Sequence, residues 1–247
     1  MGLASRDLPW RGLGQRPPPC LPSVPPAHAM TDWRDLRTRV ASAAVMVPVA
    51  LGCVWLGGVW FVGLVALGVA AMGWEWHRMS GGSPRMMAIG LVYIGPGALA
   101  LLWLRDGGVG LANVAFVFAV VWASDIGAYL VGRLVGGPKL APSISPGKTW
   151  SGAIGGVMAV AVVGLVVGGI WAILVACVVG IAAQLGDLLE SGVKRHFGVK
   201  DSGWLIPGHG GVLDRVDALL TAAPVAALIG WYFAPGGLLW GGLLWRH

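Results

Sequence analysis

Charge is what this sequence has least of. Only 11% of its 247 residues are Asp, Glu, Lys or Arg, less than half the roughly 25% of an ordinary soluble domain. With 56% hydrophobic residues and a mean hydropathy of +0.75, that scarcity excludes a soluble globular chain and marks an integral membrane protein. Cysteine is nearly as rare. Cys20, Cys53 and Cys177 share no metal-ligand spacing, and the last two lie inside apolar runs, so neither a disulfide framework nor a zinc site is indicated. Residues 1–29 lack an apolar run of signal-peptide length, which argues against a secretory signal. Gly147-Lys148-Thr149 ends like a phosphate-binding P-loop, but Pro142 stands where that motif needs glycine and no βαβ pattern precedes it. A soluble ATPase is thereby excluded.

Glycine and tryptophan, by contrast, are plentiful at 41 and 14 residues. Glycine lets transmembrane helices approach closely, and tryptophan favours the headgroup level of a bilayer. The formal net charge of +6 would suggest nucleic acid in a soluble protein. Here the basic residues sit in loops between apolar spans, where they set topology and attract anionic lipid or phosphate.

The head, residues 1–29, is rich in proline and reads as a disordered tail or an upstream start-site artefact, with Met30 as a natural start. Residues 30–247 read as one membrane-embedded domain. Apolar runs of the length a spanning helix needs fall at 41–57, 58–76, 88–104, 109–131, 153–169, 170–186 and 218–234. The expected fold is thus all-α and polytopic, with about seven transmembrane helices and catalytic loops on the cytoplasmic side. The apolar tail 236–245 is too short for a further span and is expected to lie in the interface as an amphipathic anchor. With the N-terminus inside, twelve basic residues fall in cytoplasmic loops and only Arg105 and Arg246 outside. That bias puts loops 77–87, 132–152 and 187–217 on one face.

Two of these loops carry the chemistry. In the first, Asp125 sits deep toward the end of an apolar run, where an ionised carboxylate is costly unless paired or facing a polar cavity; a helix-end aspartate at the interface is the alternative. Behind it, Ser143, Ser145, Lys148 and Thr149 present hydroxyls and a cation among glycines and prolines, a composition suited to phosphate. In the second, Gln184 to Asp217, five of the eleven carboxylates are gathered. Asp187, Glu190, Ser191 and Lys194 fall on one face of a helix, although a solvated, salt-bridged helix end has the same pattern. Asp214 and Asp217 recur one turn apart before another apolar span. Two such acidic helix ends repel unless a cation lies between them. Oxygen ligands without an imidazole or thiolate constellation suit magnesium, with nucleotide phosphates completing its shell. Metal-assisted phosphoryl or nucleotidyl transfer follows, with Lys194, Arg195, Lys200 and Arg215 neutralising phosphates and Gly210 and Gly211 allowing close backbone approach. His209 either participates or caps a turn.

Ser191, Lys194, Arg195, Lys200, Asp201, Pro207, His209, Gly210, Gly211, Asp214, Arg215 and Asp217 together resemble the signature of the phosphatidate cytidylyltransferase family, the CDP-diacylglycerol synthases. Upstream, Asp125, Ala128, Tyr129, Gly132, Arg133, Lys139, Leu140, Pro142, Ser145, Pro146, Lys148, Thr149 and Trp150 are also similar to that family, so the resemblance runs from about 122 to 217. Before it, only Trp74-Glu75-Trp76 is similar. Ser151 departs from the acidic or amide side chain common at its position, and the N-terminal half is short of spans beside longer relatives.

The resemblance implies transfer of CMP from CTP to phosphatidic acid in phospholipid biosynthesis, with magnesium as the essential ion. It implies Asp187, Asp214 and Asp217 as metal ligands and, with Lys194, as the catalytic set. Asp125, Ser145, Lys148, Thr149, Ser191, Arg195, Lys200, His209, Gly210, Gly211 and Arg215 are the implied substrate contacts. The partners expected are CTP, phosphatidic acid and the bilayer, with no nucleic acid. The expected location is a bacterial inner membrane, active site toward the cytoplasm. Gly155, Gly156, Gly164, Gly168 and Gly169 would permit the homodimer the resemblance suggests. Two other readings stay open: another magnesium-dependent phospholipid phosphotransferase, and a secondary transporter, against which the lack of repeat symmetry counts. Removing residues 1–29 is expected to leave CTP-dependent turnover intact; an inactive truncation contradicts the reading of the head.

Overall fold

The computed structural model describes residues 33–206 and 210–241, with side chains from residue 40 onward. The Pro-rich head and His209 lie outside the described residues. Six helices and one small β-ribbon follow in order: α1 Trp33–Leu56, α2 Gly58–Ser80, α3 Pro84–Arg105, α4 Gly110–Val135, β1 Lys139–Ala141, β2 Ser145–Thr149, α5 Trp150–His196 and α6 Leu213–Phe233. Five of them, α2 to α6, are long and apolar enough to cross a membrane. The apolar part of α1, Val40–Leu56, is shorter. Their outer faces carry Leu91, Val92, Val166 and Leu134, all largely exposed. Helices apolar on the outside as well as the inside belong in lipid.

The expected spans 153–169 and 170–186 lie in one 47-residue helical run, α5. Its backbone leaves the helical region at Gly168 and Gly169, where Gly169 takes φ 74°, a conformation that favours glycine. Here the run folds back on itself. A Cβ on Gly164 would lie 2.5 Å from Ile173 Cα, and one on Gly180 would lie 2.9 Å from a Val160 methyl. The two arms are therefore antiparallel neighbours in close backbone contact. The second arm continues past the expected end at 186 to His196, so Asp187, Glu190, Ser191 and Lys194 are indeed presented by one helix.

Turns at the two ends of the bundle have different characters. At one end, Arg105 donates to Val54 O (2.8 Å) and Trp55 O (3.0 Å), placing a cation on the last carbonyls of α1. Also at this end, the tail after α6 folds onto α4. Asn113 donates to Gly237 O (3.1 Å) and accepts from Leu239 N (3.0 Å), Leu239 is fully buried, and Trp240 packs on Phe116 at 4.8 Å. As far as Gly241 the tail therefore packs on α4 through Leu239 and Trp240 rather than lying free in the interface, and residues 242–245 of the expected anchor lie outside the described residues; apolar side chains this close to an open helix face pack there first.

The other end gathers the polar segments. The stretch after α4 departs from the all-α expectation: β1 and β2 pair antiparallel, with Lys139 opposite Thr149 and Ala141 opposite Ser145. At this end α4 crosses the start of α5 where a Cβ on Gly127 would lie 2.7 Å from Gly155 O. α5 and α6 meet at Gly186, where an added Cβ would lie 3.0 Å from Asp217 O and against the Thr221 hydroxyl. Thr221 itself donates to Ala182 O (2.8 Å). Gly186→Ala is expected to destabilise the protein by about 1–3 kcal/mol through overpacking. Gly73→Ala, with no atom near the new methyl, should not. Unfolding midpoints in detergent distinguish the two.

Candidate functional site

The polar end is assembled around the start of α5. Thr149 is buried, and its hydroxyl accepts the Gly152 amide (3.1 Å), making it the N-cap of α5. The Ser151 hydroxyl bonds both Thr149 Oγ1 (3.0 Å) and the Gly136 carbonyl at the end of α4. Trp150 N donates to Pro138 O (3.1 Å). The ribbon is thereby fastened to α4 and α5, and the fastening delivers Lys148 Nζ to within 2.6 Å of Asp187 Oδ2. Between α4 and α5 opens a cavity of about 580 Å³, lined by Asp125, Tyr129, Arg133, Lys148, Thr149, Gln184 and Asp187 among others. Arg133 donates to the Tyr129 hydroxyl (2.7 Å). Gln184 donates to Ser124 Oγ (3.1 Å) and Ala153 O (3.2 Å), joining α4 to both arms of α5.

A second polar cluster lies between the end of α5 and the start of α6. Lys194 Nζ stands 2.6 Å from Glu190 Oε2 and 2.9 Å from Asp214 Oδ1, and all three side chains are largely shielded from solvent. Glu190 Oε1 is buried without a hydrogen-bond partner. Asp214 is held from several directions. Besides Lys194 it accepts Ser202 N on both oxygens (3.1 and 3.0 Å) and Gly211 N on Oδ2 (2.9 Å). Gly210 has φ 84°, and a Cβ there would lie 3.1 Å from Asp214 Oδ2. Asp217, one turn further, accepts its neighbouring amide, Ala218 N (2.8 Å). Asp187 lines the cavity with Asp125, and it directly follows Gly186, which packs against Asp217 O.

Apart from Asp217, which lies one turn beyond Asp214 on α6 and outside the cavity lining, the expected residues with described side chains divide into three groups. Asp125, Lys148, Thr149 and Asp187 line the cavity together. Lys194, Asp214, Gly210 and Gly211 form the adjacent network, with Glu190 as a further member. Arg195 is exposed and donates to Ile144 O (3.3 Å) and Val199 O (3.2 Å), clipping the ribbon to the end of α5. Ser145 and Ser191 are half-buried, Lys200 and Arg215 exposed, and none of the four lines the cavity. Sequence reasoning passed over Arg133, Tyr129 and Gln184 as site residues, although a glutamine inside an apolar run is a signal in its own right. It also gave no role to Glu75.

A model of the cytidylyltransferase family matches residues 83–233. The chain belongs to that family. A phosphatidate cytidylyltransferase of Brucella suis is 54% identical over 155 residues, 60% of this chain and 57% of that one. One from Rickettsia bellii is 34% identical over 210 residues, 79% of this chain and 90% of that one. One from Staphylococcus saprophyticus is 44% identical over 147 residues, 56% of each. The chain therefore spans less than two thirds of the Brucella relative's length and nine tenths of the Rickettsia one. In this cytidylyltransferase-family chain the match begins after α2 and ends with α6, enclosing the cavity and the Lys194 network.

Among the described residues no three Asp, Glu, His or Cys side chains are drawn together as a metal shell. Magnesium does not require one, since it is commonly held by one or two carboxylates with water and substrate phosphate. Asp187 and Asp217 stand on facing helices as oxygen donors, Asp187 in an ion pair with Lys148. Asp214 is already engaged by one lysine and two backbone amides. Removing the cation from the buried network exposes the difference between the two lysines. Lys194→Met leaves the buried Glu190 without a cation and Asp214 on backbone amides alone, and is expected to cost about 3–5 kcal/mol. Lys148→Met, at a half-exposed pair, should cost about 1 kcal/mol or less. Denaturant titration in detergent measures both.

Proposed function

We propose that this chain transfers CMP from CTP to phosphatidic acid, giving CDP-diacylglycerol and pyrophosphate. One observation carries the reading: a largely apolar cavity between lipid-facing helices ends on Lys148, Arg133, Asp125 and Asp187. An amphiphile with a phosphate head fits such a space, and the relatives from Brucella, Rickettsia and Staphylococcus are phosphatidate cytidylyltransferases.

In the reaction, a phosphate oxygen of phosphatidic acid attacks the α-phosphorus of CTP. The bond from that phosphorus to the bridging oxygen breaks, and pyrophosphate leaves. A phosphomonoester is already ionised near neutral pH, so no strong general base is needed and catalysis rests on alignment. Lys148 and Arg133, both in the cavity lining, bind phosphate oxygens. Lys194 holds Asp214 and Glu190 in place beside the reacting groups. Magnesium, held by Asp187 and Asp217 when bound, supplies charge neutralisation on the triphosphate.

The polypeptide crosses the inner membrane of a bacterium seven times in this reading, the two arms of α5 counting separately, with the cavity open toward the cytoplasm. The alternation of turns between the two ends of the bundle supports that count, and the concentration of Lys and Arg at the cavity end supports the orientation. Gly155, Gly156 and Gly164 are packed inside the chain, against α4, Gln184 and the second arm of α5, so a homodimer would use another face. Asp187→Asn and Asp217→Asn are each expected to lower CTP-dependent formation of labelled CDP-lipid by roughly 100-fold or more. Chelating divalent cations should abolish it. Turnover that survives both substitutions and chelation overturns the magnesium assignment, and failure to consume CTP overturns the function.

A further inference from the structure

Glu75 is the most completely buried acid in the described structure, with 0% exposure. It stands near the end of α2, before residue 83 where the family match begins. Its carboxylate is met entirely by the segment leading into α6. Oε1 accepts Val212 N (2.8 Å), and Oε2 accepts Leu213 N (2.9 Å) and Ser202 Oγ (3.2 Å). No described ion pair involves it. The compensating charge is the N-terminal end of α6, whose first amides have no partner inside the helix. The fit is tight: a Cβ on Gly203 would lie 2.7 Å from Oε1, and one on Gly211 would lie 2.8 Å from Oε2.

The same segment carries Asp214. Ser202, whose hydroxyl is bound to Glu75, gives its amide to Asp214, and Gly211, packed on Glu75, does likewise. A continuous line therefore runs from Glu75 through Ser202 to Asp214 and on to Lys194. The geometry points to Glu75 as a positioning residue for the polar site. By fixing the depth and rotation of the first turn of α6, it sets where Asp214 and Asp217 stand relative to Asp187. It touches no reacting group itself. As regards the ion, this rests on the function proposed above; as regards the loop, it does not.

Glutamine is the informative replacement. It keeps the shape, but its amide nitrogen must face an N–H donor where an oxygen now accepts. Three variants would be compared with the parent chain: Glu75→Gln, Glu75→Asp and Ser202→Ala, the last removing one hydroxyl in case the first fails to fold. Amide hydrogen exchange in detergent is expected to rise about 10-fold or more at 202–214 in Glu75→Gln, with α4 and the first arm of α5 unchanged. Ser202→Ala should show a smaller rise in the same segment. Mn²⁺ affinity, read by electron paramagnetic resonance in the presence of CTP, should fall by roughly 10–100-fold in Glu75→Gln and recover in part in Glu75→Asp. Unchanged exchange at 202–214, or a rise spread evenly over all helices, overturns the proposal. Should the parent chain neither bind Mn²⁺ nor consume CTP, the proposed function fails, while the exchange comparison still decides what Glu75 holds.

Discussion

A carboxylate placed at the end of lipid-facing helices must find a donor for its oxygens, and that requirement organises this molecule. Water is scarce there, and an ion without a partner costs several kcal/mol. The structure meets the requirement in three ways. Asp187 takes a lysine from the ribbon, Asp214 takes a lysine and two backbone amides, and Glu75 takes the beginning of a helix. Each solution joins segments far apart in sequence, so satisfying the acids and closing the polar end of the fold are one event.

The apolar part of the bundle serves this end by allowing close approach. Without a hydrophobic driving force between helices in lipid, packing relies on small residues that let backbones meet. Gly127 on Gly155, Gly164 on the opposite arm of α5, and Gly186 on Asp217 are the contacts that bring α4, α5 and α6 into register. The register matters chemically. Gly186 and Asp187 are neighbours, so the contact that seats α5 on α6 also decides how near Asp187 stands to Asp217. At the far end, the Arg105 cap and the buried tail hold the bundle shut without any charged cluster.

Much of the fold was legible because a membrane imposes a length rule. Every apolar run expected to form a helix does so, and the polar stripe from Asp187 to Lys194 is helical as its spacing implies. The break at Gly168–Gly169 lay at the junction of two expected spans. What composition could not reveal was pairing at a distance. Lys148 meets Asp187, and Glu75 meets Val212, across intervals that no local pattern encodes. The ribbon escaped notice for a different reason: a strand holding Pro146 and Gly147 has little intrinsic β propensity and is held by the bonds that Thr149 and Ser151 make at its end. The tail misled because its apolar character suits lipid and protein equally, and only the position of Asn113 and Phe116 decides between them.

The bond from Glu75 into α6 has a meaning for where this protein begins as a physical unit. The family model matches only from residue 83, yet a polypeptide cut there would leave the amides of Val212 and Leu213 without the carboxylate that accepts them. The smallest autonomous piece must therefore reach back through α2, and the edge of a recurring sequence pattern is not the edge of cooperative folding.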